Sequence, residues 1–397
     1  MKKQFKYDFP FLAQEKNNNP LIYLDSAATT PKPQVVIDAV TKNYTYLTAP
    51  IHRGIYETAE KATEFYENTR EKVAQFFNVK SKKEIVFTSG TTDSLNMVAY
   101  GFAEHFLKKG DEIIISELEH HANIIPWQHI VKKTGTILKY IPVLENGDLD
   151  YDYFEKIISK KTKLVSVTHA SNSIGTLVDI KKIIDISHAV GAYVCIDAAQ
   201  SAGHIPINVQ NLDIDFLACS SHKMYGPYGV GILYVKEKLH DQFYPVRLGG
   251  GAVSLVEHQK TNFLNFPQKL EAGTPAICEV IAFSTAIDYI QTNFKEIISH
   301  ETEVFKYAEE ELRKINHISI IGNSKKSHVL SFMVKNYHAH DIAAYLDQKN
   351  IAVRAGNHCA QIIAQKLNYN ASVRISIGCY TEKSDIDRLL ERVVEIK

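Results

Sequence analysis

Residues 220–227 read SSHKMYGP and lie between two apolar runs, residues 215–219 and 229–235. Apolar runs on either side of a short polar stretch predict a strand, a loop and a second strand. Lys223 would be held in that loop at a fixed point, where its amine could form a Schiff base with an aldehyde. Considered alone, a loop lysine is more often a solvated side chain.

Asp197 favours the Schiff-base hypothesis. It follows the apolar residues 192–196 and precedes Lys223 by 26 positions (223 − 197). Pyridoxal 5′-phosphate needs both groups, because the lysine holds its aldehyde and the carboxylate keeps its pyridine nitrogen protonated, so that the ring accepts electrons. The two residues together predict a pyridoxal phosphate site.

The composition is that of an ordinary soluble globular protein. Among 397 residues, hydrophobic types make up 45 % and charged types 23 %, and 45 basic residues balance 45 acidic ones. This balance does not point to nucleic acid or an anionic membrane as a partner. The length favours two or three domains, and no apolar stretch is long enough to span a bilayer.

The cysteines and histidines lack the spacings of a disulfide framework or a metal site. The five cysteines are odd in number, widely spaced and without a C-x-x-C pair, and the N-terminus lacks the apolar run of a secretory signal. We therefore expect a reducing, cytoplasmic location. His120 and His121 are adjacent rather than four positions apart, so we expect no metal site.

Strand and helix patterns alternate through much of the chain. Apolar, β-branched runs occur near residues 84–88, 111–116, 163–168 and 192–197. This alternation predicts an α/β fold with a mainly parallel sheet flanked by helices, in which ligands bind at the carboxyl ends of the strands. The polar residues that fall just past strand ends are Thr91, His120, Asn172, Asp197 and Lys223.

The sequence Gly90-Thr91-Thr92 lies between a strand and a helix. First-turn N–H groups and the helix dipole make an anion site, and the threonine hydroxyls add donors, which suits a phosphate group. Threonine also caps helices without any ligand. The sequence of this turn alone leaves both interpretations open.

Residues 248–274 interrupt the alternation with glycines and polar residues, as a functional or interfacial loop does. A helix at about 276–293 then leads to the last part of the chain. We expect residues 1–20 to be an N-terminal segment that packs with the small domain. Residues 21–294 would form the large cofactor-binding domain, and residues 295–397 a small α+β domain.

The small domain contains a second group of candidate residues. Cys359 lies in the sequence VRAGNHCA, beside His358 and near Arg354, and positive neighbours raise the thiolate fraction of a cysteine. Cysteines within apolar strands fit the commoner case of a buried, inert thiol. Further along, Arg374 could clamp a substrate carboxylate, or it could be a surface arginine on an edge strand.

Together, these segments resemble the class V aminotransferase family of fold-type I pyridoxal phosphate enzymes, and within it the group II, SufS-like cysteine desulfurases. The segments that carry the resemblance are, in chain order, residues 25–28 (DSAA), 52–54 (HRG), 90–92 (GTT), 119–124 (EHHANI), 197–200 (DAAQ), 220–227 (SSHKMYGP), 271–275 (EAGTP) and 354–360 (RAGNHCA). The resemblance implies a seven-stranded sheet in the large domain. Tyr56 and Asn357 depart from it, since relatives often have histidine there.

The resemblance implies a role for each candidate residue. Lys223, His120 and Cys359 are catalytic: Lys223 binds the cofactor aldehyde, His120 stacks on the ring, and Cys359 accepts the sulfur. The other implied cofactor contacts are Thr91, Asp197 at the pyridine nitrogen, Gln200 at the ring phenolate, Thr92, Ser220 and His222 at the phosphate, and Thr274 from the partner subunit of a homodimer. The implied substrate contacts are Ala27, Asn172, Arg354 and Arg374.

The implied reaction converts L-cysteine to L-alanine and leaves a persulfide on Cys359. A SufE-like or SufU-like acceptor protein would take that sulfur for iron–sulfur cluster assembly. Residues 338–341 (HAHD) resemble a segment of the enzymes that use SufU-like acceptors, although a solvated loop explains them equally well. The main alternative is selenocysteine lyase activity at the same site, and a class V transaminase, which does not need Cys359, is a second. A regulatory pyridoxal phosphate-binding protein is disfavoured because the chain lacks a basic DNA-binding segment.

Overall fold

The computed structural model describes residues 4–16, 18–322 and 327–396. The strands within these ranges are β1 (Glu15–Lys16), β2 (Asn19–Pro20), β3 (Ile22–Tyr23), β4 (Ile85–Thr88), β5 (Glu112–Ser116), β6 (Ile137–Ile141), β7 (Thr162–Thr168), β8 (Tyr193–Asp197), β9 (Phe216–Ser220), β10 (Gly231–Val235), β11 (Val253–Val256), β12 (Thr261–Phe263), β13 (Ile318–Ile320), β14 (Val329–Val334), β15 (Ile351–Ala352), β16 (Arg354–Gly356) and β17 (Ser372–Ser376). The helices are α1 (Gln34–Tyr46), α2 (Glu57–Phe76), α3 (Thr91–Met97), α4 (Glu104–Phe106), α5 (Ile125–Thr134), α6 (Tyr151–Ile157), α7 (Ile180–Ala189), α8 (Val209–Leu212), α9 (Ile277–Arg313), α10 (Ala339–Gln348), α11 (Gln361–Lys366) and α12 (Lys383–Val394). A π-helical segment, Val98–Ala103, connects α3 to α4 without a break.

A seven-stranded sheet forms the centre of the large domain, in the order β4-β10-β9-β8-β7-β5-β6. The strands from β9 to β6 run parallel, whereas β10 is antiparallel to both of its neighbours. Strands that are covered by helices on both faces read as continuous apolar runs, which is why the sequence pattern was informative. The expected fold-type I architecture, with a mainly parallel sheet flanked by helices, is confirmed.

Strand β5 illustrates how the sheet is held between two apolar layers. Ile113 and Ile115 pack in the same cluster as Trp127, while Ile114 packs in the opposite cluster with Val165. Successive side chains of a strand point to opposite faces, and all three isoleucines are fully buried. Each contributes about 1.5–3 kcal/mol of burial free energy, so the sheet is a rigid support for the polar loops at its edge.

A four-stranded antiparallel sheet, in the order β13-β14-β17-β16, forms the small domain. Its apolar core combines residues of α9, α10 and α12 with Ile22 and Leu24 from near the N-terminus. In addition, β3 pairs in parallel with β15. We therefore propose that the N-terminal segment that packs on the small domain extends to Leu24, beyond the residue 20 expected from the sequence.

Helix α9 is shared by the two domains. Its 37 residues carry buried side chains from Cys278 to Leu312, so it continues well past residue 293, where the sequence pattern placed its end. The expected domain boundary at residue 294 thus falls inside a continuous helix. Within the described ranges, no helix combines the length and the apolarity needed to cross a bilayer.

The stretch at residues 248–274, expected to be a loop, contains the antiparallel hairpin of β11 and β12. All but one of the residues in these two strands are exposed. A strand without a buried face has no reason to alternate apolar and polar residues, and that alternation is the signal by which strands are recognised. The lack of this alternation explains why the sequence pattern does not predict the hairpin.

Candidate active site

A cavity of about 220 Å³ lies at the carboxyl ends of the central strands. The predicted site residues that line it are Ala27, Thr91, Thr92, His120, Asn172, Asp197, Gln200, Ser220, His222, Lys223, Arg354, Cys359 and Arg374. Thr274 is the exception, because it lines a separate cavity of about 700 Å³ together with His52 and Arg53. Both domains thus contribute to one site, as expected for an open α/β sheet.

Lys223 ends the 3-10 turn that follows β9. Burial lowers the pKa of its amine to about 8, and Asp197 opposes this shift. About a tenth of the amine is therefore unprotonated at pH 7, far more than for an ordinary lysine, and a nucleophile or a general base requires this form.

Asp197 is the last residue of β8 and lines the same cavity. Its Oδ1 accepts a hydrogen bond of 2.9 Å from the Ala199 N–H. Burial raises the pKa of the carboxyl, while that hydrogen bond and the charge of Lys223 oppose the shift. A buried carboxylate that faces a cationic partner suits a protonated ring nitrogen.

The turn between β4 and α3 provides donors for an anion. The Thr91 N–H donates to Ser220 Oγ at 2.7 Å, and the hydroxyls of the same two residues lie 2.7 Å apart. Close by in the cavity lining, His222 Nδ1 is buried and has no partner among the described residues. Gly231 is required beneath this turn, because a Cβ there would overlap the backbone of Gly90.

These groups fit pyridoxal 5′-phosphate. An amine can hold the aldehyde, a buried carboxylate can face the ring nitrogen, and hydroxyl and imidazole groups can donate hydrogen bonds to the phosphate. The Gln200 side-chain amide donates to the Ala27 carbonyl at 2.8 Å, which ties the loop after β8 to the N-terminal segment. The phosphate interpretation of the Gly90 turn is thus the better supported of the two.

His120 lines the cavity as a neutral imidazole. Its Nδ1 accepts a hydrogen bond of 3.1 Å from the Ala122 N–H, so its other nitrogen carries the proton. Burial, together with the charge of Lys223, lowers the pKa of the imidazole to about 4. An uncharged aromatic side chain can pack on a cofactor ring without repelling its protonated nitrogen.

Arg374 lies on β17, an internal strand of the small-domain sheet, and is almost fully buried. The possibility of a surface arginine on an edge strand is therefore wrong. Its Nη2 contacts Asp25 Oδ1 at 2.6 Å and its Nη1 donates to the Asn172 carbonyl at 2.9 Å, while Nε has no partner among the described residues. A buried guanidinium with a free donor beside the cavity suits a carboxylate ligand.

The loop that carries Cys359 has an unusual backbone. His358 and Cys359 both have positive φ, 55° and 56°, a conformation that non-glycine residues adopt only when the surroundings impose it. The Cys359 carbonyl accepts from the His121 N–H at 2.8 Å, and the His358 carbonyl accepts from the Asn172 side chain at 2.6 Å. These contacts fix the partly exposed thiol at the cavity wall.

His358 does not supply the positive charge that the sequence suggested for Cys359. Its ring is buried, with Nε2 at 2.9 Å from the Ser372 hydroxyl. Burial, assisted by the charges of Arg374 and Arg354, lowers its pKa to about 3, so the ring is neutral. The cationic side chains that line the cavity together with the thiol are Lys223, Arg354 and Arg374.

Two residues of the site had no assigned role in the sequence analysis. Asp25 forms the ion pair with Arg374, and Glu119 is a buried carboxylate next to His120. Glu119 accepts from the Thr168 N–H at 3.0 Å and from the Asn123 side chain at 2.6 Å, which ties the His120 loop to the sheet. Both lie inside segments on which the family resemblance rests, and that resemblance is the sequence signal that could have identified them.

The chain has well-defined similarity to known proteins. Residues 22–389 match the profile of the family Aminotransferase class-V. A probable cysteine desulfurase of Halalkalibacterium halodurans is 41 % identical over 99 % of this chain and 97 % of the relative. One from Staphylococcus epidermidis is 40 % identical over 98 % of this chain and 95 % of the relative.

Solved structures agree with these matches. The apo structure of a cysteine desulfurase from Thermococcus onnurineus superimposes with a TM-score of 0.94 at 36 % identity, covering 98 % of this chain and 96 % of the other. The cysteine desulfurase CsdA of Escherichia coli, in an S-sulfonic acid form, gives a TM-score of 0.92 at 36 % identity, covering 99 % and 97 %.

Proposed function

The chain belongs to the class V aminotransferase family, and on this basis we propose that it is a pyridoxal phosphate-dependent cysteine desulfurase that converts L-cysteine to L-alanine. Its similar relatives bear that name. The observation that carries the proposal is the presence of Lys223, Asp197 and Cys359 around one cavity. A transaminase needs the amine and the carboxylate but has no use for the thiol.

Lys223 serves as the acid and base of the reaction. When bound, pyridoxal phosphate supplies a ring that accepts electrons from the substrate Cα. The Lys223 amine takes the proton from that carbon at its Nζ, and its lowered pKa of about 8 makes it a base near neutral pH. Arg374 orients the substrate by its carboxylate, so that the Cα–H bond is presented to the amine.

Cys359 accepts the sulfur. Its Sγ, as the thiolate, attacks the substrate sulfur; the new S–S bond forms as the substrate C–S bond breaks. The carbon keeps the electron pair of the broken bond and gains a proton, which yields alanine. Cys359 is left as a persulfide, so sulfur and electrons balance without an external oxidant.

The test is the variant Cys359→Ala. We expect it to bind pyridoxal phosphate at Lys223 but to lose nearly all alanine formation from L-cysteine, because no nucleophile remains at the cavity wall. Mass spectrometry of the parent enzyme after L-cysteine should show one added sulfur on the peptide that contains Cys359. Cys278→Ala, which removes a buried thiol of α9 outside the cavity lining, is the matched control and should retain turnover.

Two results would contradict the proposal. Full cysteine turnover by Cys359→Ala would show that the thiol has no part in the chemistry, as in a transaminase. Activity on selenocysteine but none on cysteine in the parent enzyme would favour a selenocysteine lyase instead.

We further propose that the enzyme is of the SufS-like type and supplies sulfur for iron–sulfur clusters through a protein acceptor. Cys359 is partly exposed on a short loop that His121 and Asn172 hold in place. Because the loop is held, an acceptor protein would have to approach Cys359 to take its sulfur. The segment that resembles enzymes with SufU-like acceptors contains His338 and His340, which are exposed at the start of α10 with ring centroids 5.1 Å apart. Comparing persulfide discharge to SufE-like and SufU-like proteins would decide between the two acceptors.

A further inference from the structure

Lys32 is a half-buried lysine behind the anion site. Its Nζ lies 3.3 Å from the His222 carbonyl and 3.4 Å from Thr29 Oγ1, and it also contacts the Thr30 carbonyl. In the described part of the chain, no carboxylate lies within ion-pair distance of this amine. An ammonium group that is withdrawn from water without a counter-charge is costly, so its retention needs an explanation.

Hydrogen bonding explains the position of the amine, which donates to the Thr30 carbonyl, but it does not require the amine to be charged. The His222 carbonyl already accepts from the Thr30 N–H at 3.0 Å, the Thr30 hydroxyl at 3.1 Å and the Thr29 hydroxyl at 3.2 Å. A carbonyl oxygen has two lone pairs, so the Lys32 amine is not needed to satisfy it. The property of Lys32 that needs an explanation is its charge rather than its ability to donate hydrogen bonds.

The Lys32 amine is connected to the His222 imidazole through the Tyr228 ring. The Lys32 amine sits 4.5 Å from the centroid of the Tyr228 ring, and this ring stacks with the His222 imidazole at 5.8 Å between centroids. On its other side, His222 lines the cavity with Thr91 and Ser220. Lys32, the Tyr228 ring and the His222 imidazole thus form a series of contacts that ends at the donors of the phosphate site.

We propose that Lys32 is a positioning residue for the cofactor phosphate: it supplies, from behind His222, the positive charge that the dianionic phosphate balances when the cofactor binds. The inference rests on pyridoxal phosphate as the cofactor and adds a residue to its site. The free protein fits this role, since burial lowers the pKa of the Lys32 amine to about 7. About half of the amine is therefore unprotonated near pH 7 in the free protein, and a bound dianion would favour its protonated form.

The experiment compares two forms of the cofactor. Apoprotein is titrated with pyridoxal 5′-phosphate and with pyridoxal, which lacks the phosphate, and the Lys223 adduct is followed by absorbance. We expect Lys32→Met to weaken pyridoxal phosphate binding about tenfold to a hundredfold, but to change pyridoxal binding less than about threefold. Lys32→Arg, which keeps the charge, should recover at least part of the loss. Lys80→Met, at an exposed lysine, should match the parent in both titrations.

The unfolding temperature of the apoprotein provides the second measurement. Because Lys32→Met removes a costly charge, its apoprotein should be at least as stable as the parent. If Lys32→Met lost equal affinity for both ligands, or if its apoprotein had a lower unfolding temperature than the parent, Lys32 would be merely structural and the proposal would be overturned. The proposal would also be overturned if Lys32→Arg bound pyridoxal phosphate no better than Lys32→Met. If the parent apoprotein bound no pyridoxal phosphate, the proposed function itself would fail.

Discussion

Lys223 and Asp197 influence each other's charge across the cavity. Burial lowers the pKa of the Lys223 amine to about 8, and the Asp197 carboxylate opposes the shift. The amine attacks an aldehyde only when unprotonated, so capture of pyridoxal by the apoprotein should speed up as the pH rises towards 8 and level off above it. Stopped-flow absorbance between pH 6 and pH 10 would show this single rising step.

Replacing Asp197 should move that step in a defined direction. Asp197→Asn removes the negative charge that raises the amine's pKa, so the midpoint should shift to lower pH. Asp288→Asn, at an exposed carboxylate paired with Lys72, serves as the control and should leave the midpoint unchanged. A midpoint that stays in place or rises in Asp197→Asn would show that the two groups are not coupled.

Arg374 should govern substrate binding more than turnover. A hydrogen bond to a charged group contributes about 1.5–3 kcal/mol, so Arg374→Ala should raise KM for L-cysteine roughly tenfold to a hundredfold. Part of any loss of stability would come from Asp25, which would be left without its partner. Arg392→Ala, at a solvent-facing arginine of α12, should leave KM unchanged. An unaltered KM in Arg374→Ala would assign the substrate carboxylate to another site.

At the scale of elements, the sequence predicted the strands whose side chains are buried and missed features that leave no apolar pattern in the sequence. The central strands were recognised because two covered faces require apolar runs, and the strand-end loops followed from the sheet's geometry. The β11–β12 hairpin escaped because its residues are exposed. The neutrality of His358 escaped as well, since it depends on burial and on the charge of Arg374, which is 16 positions away in sequence (374 − 358).

The turn that carries Asn172 contacts the small domain through a glycine. Gly175 has φ +77°, and a Cβ there would overlap the Val329 carbonyl at the start of β14. Gly175→Ala should therefore destabilise the protein by more than about 2 kcal/mol, from backbone strain and overpacking together. Gly191→Ala makes a matched control, because its φ is +84° but a Cβ there would meet no atom within 4 Å.

Denaturant unfolding of the two glycine variants separates strain from contact. Gly191→Ala should lose only the strain of a left-handed alanine, about 1 kcal/mol. Equal losses in the two variants would show that the turn's contact with β14 does not contribute. Loss of cysteine turnover in Gly175→Ala alone would link this contact to the position of Asn172.

At the scale of the whole molecule, α9 connects the loop of Lys223 to both domains. Glu301 of this helix accepts from the Tyr225 hydroxyl at 2.8 Å and lies 2.8 Å from His204 Nδ1. The His204 ring stacks on the ring of His328, which directly precedes β14 of the small-domain sheet, with 3.8 Å between centroids. Tyr225 is two positions after Lys223, so the loop that carries Lys223 is anchored at the boundary between the domains.

The isolated chain leaves apolar side chains uncovered near the cavity that contains Thr274. Ile55, Leu248 and Val256 are 94 %, 71 % and 64 % exposed, and they lie in or beside the segments around residues 50–53 and 250–275 that contribute to that cavity. Exposed apolar groups concentrated in this way mark protein–protein interfaces. On this basis we propose a homodimer in which Thr274 completes the site of the partner subunit.

Hybrid dimers test that arrangement directly. A chain with Lys223→Ala and a chain with Thr274→Ala, each impaired as a homodimer, are expressed together with different tags, and the hybrid is purified through both tags. If Thr274 acts across the interface, one of the two sites in the hybrid has an intact Lys223 together with an intact Thr274. The hybrid should then show about half the turnover of the parent dimer, with the pyridoxal phosphate affinity of the parent at that site.

If Thr274 acts within its own chain, no site in the hybrid is intact, and the hybrid should show no more activity than the Thr274→Ala homodimer. The second result, or a monomeric parent protein by light scattering, would rule out a composite site.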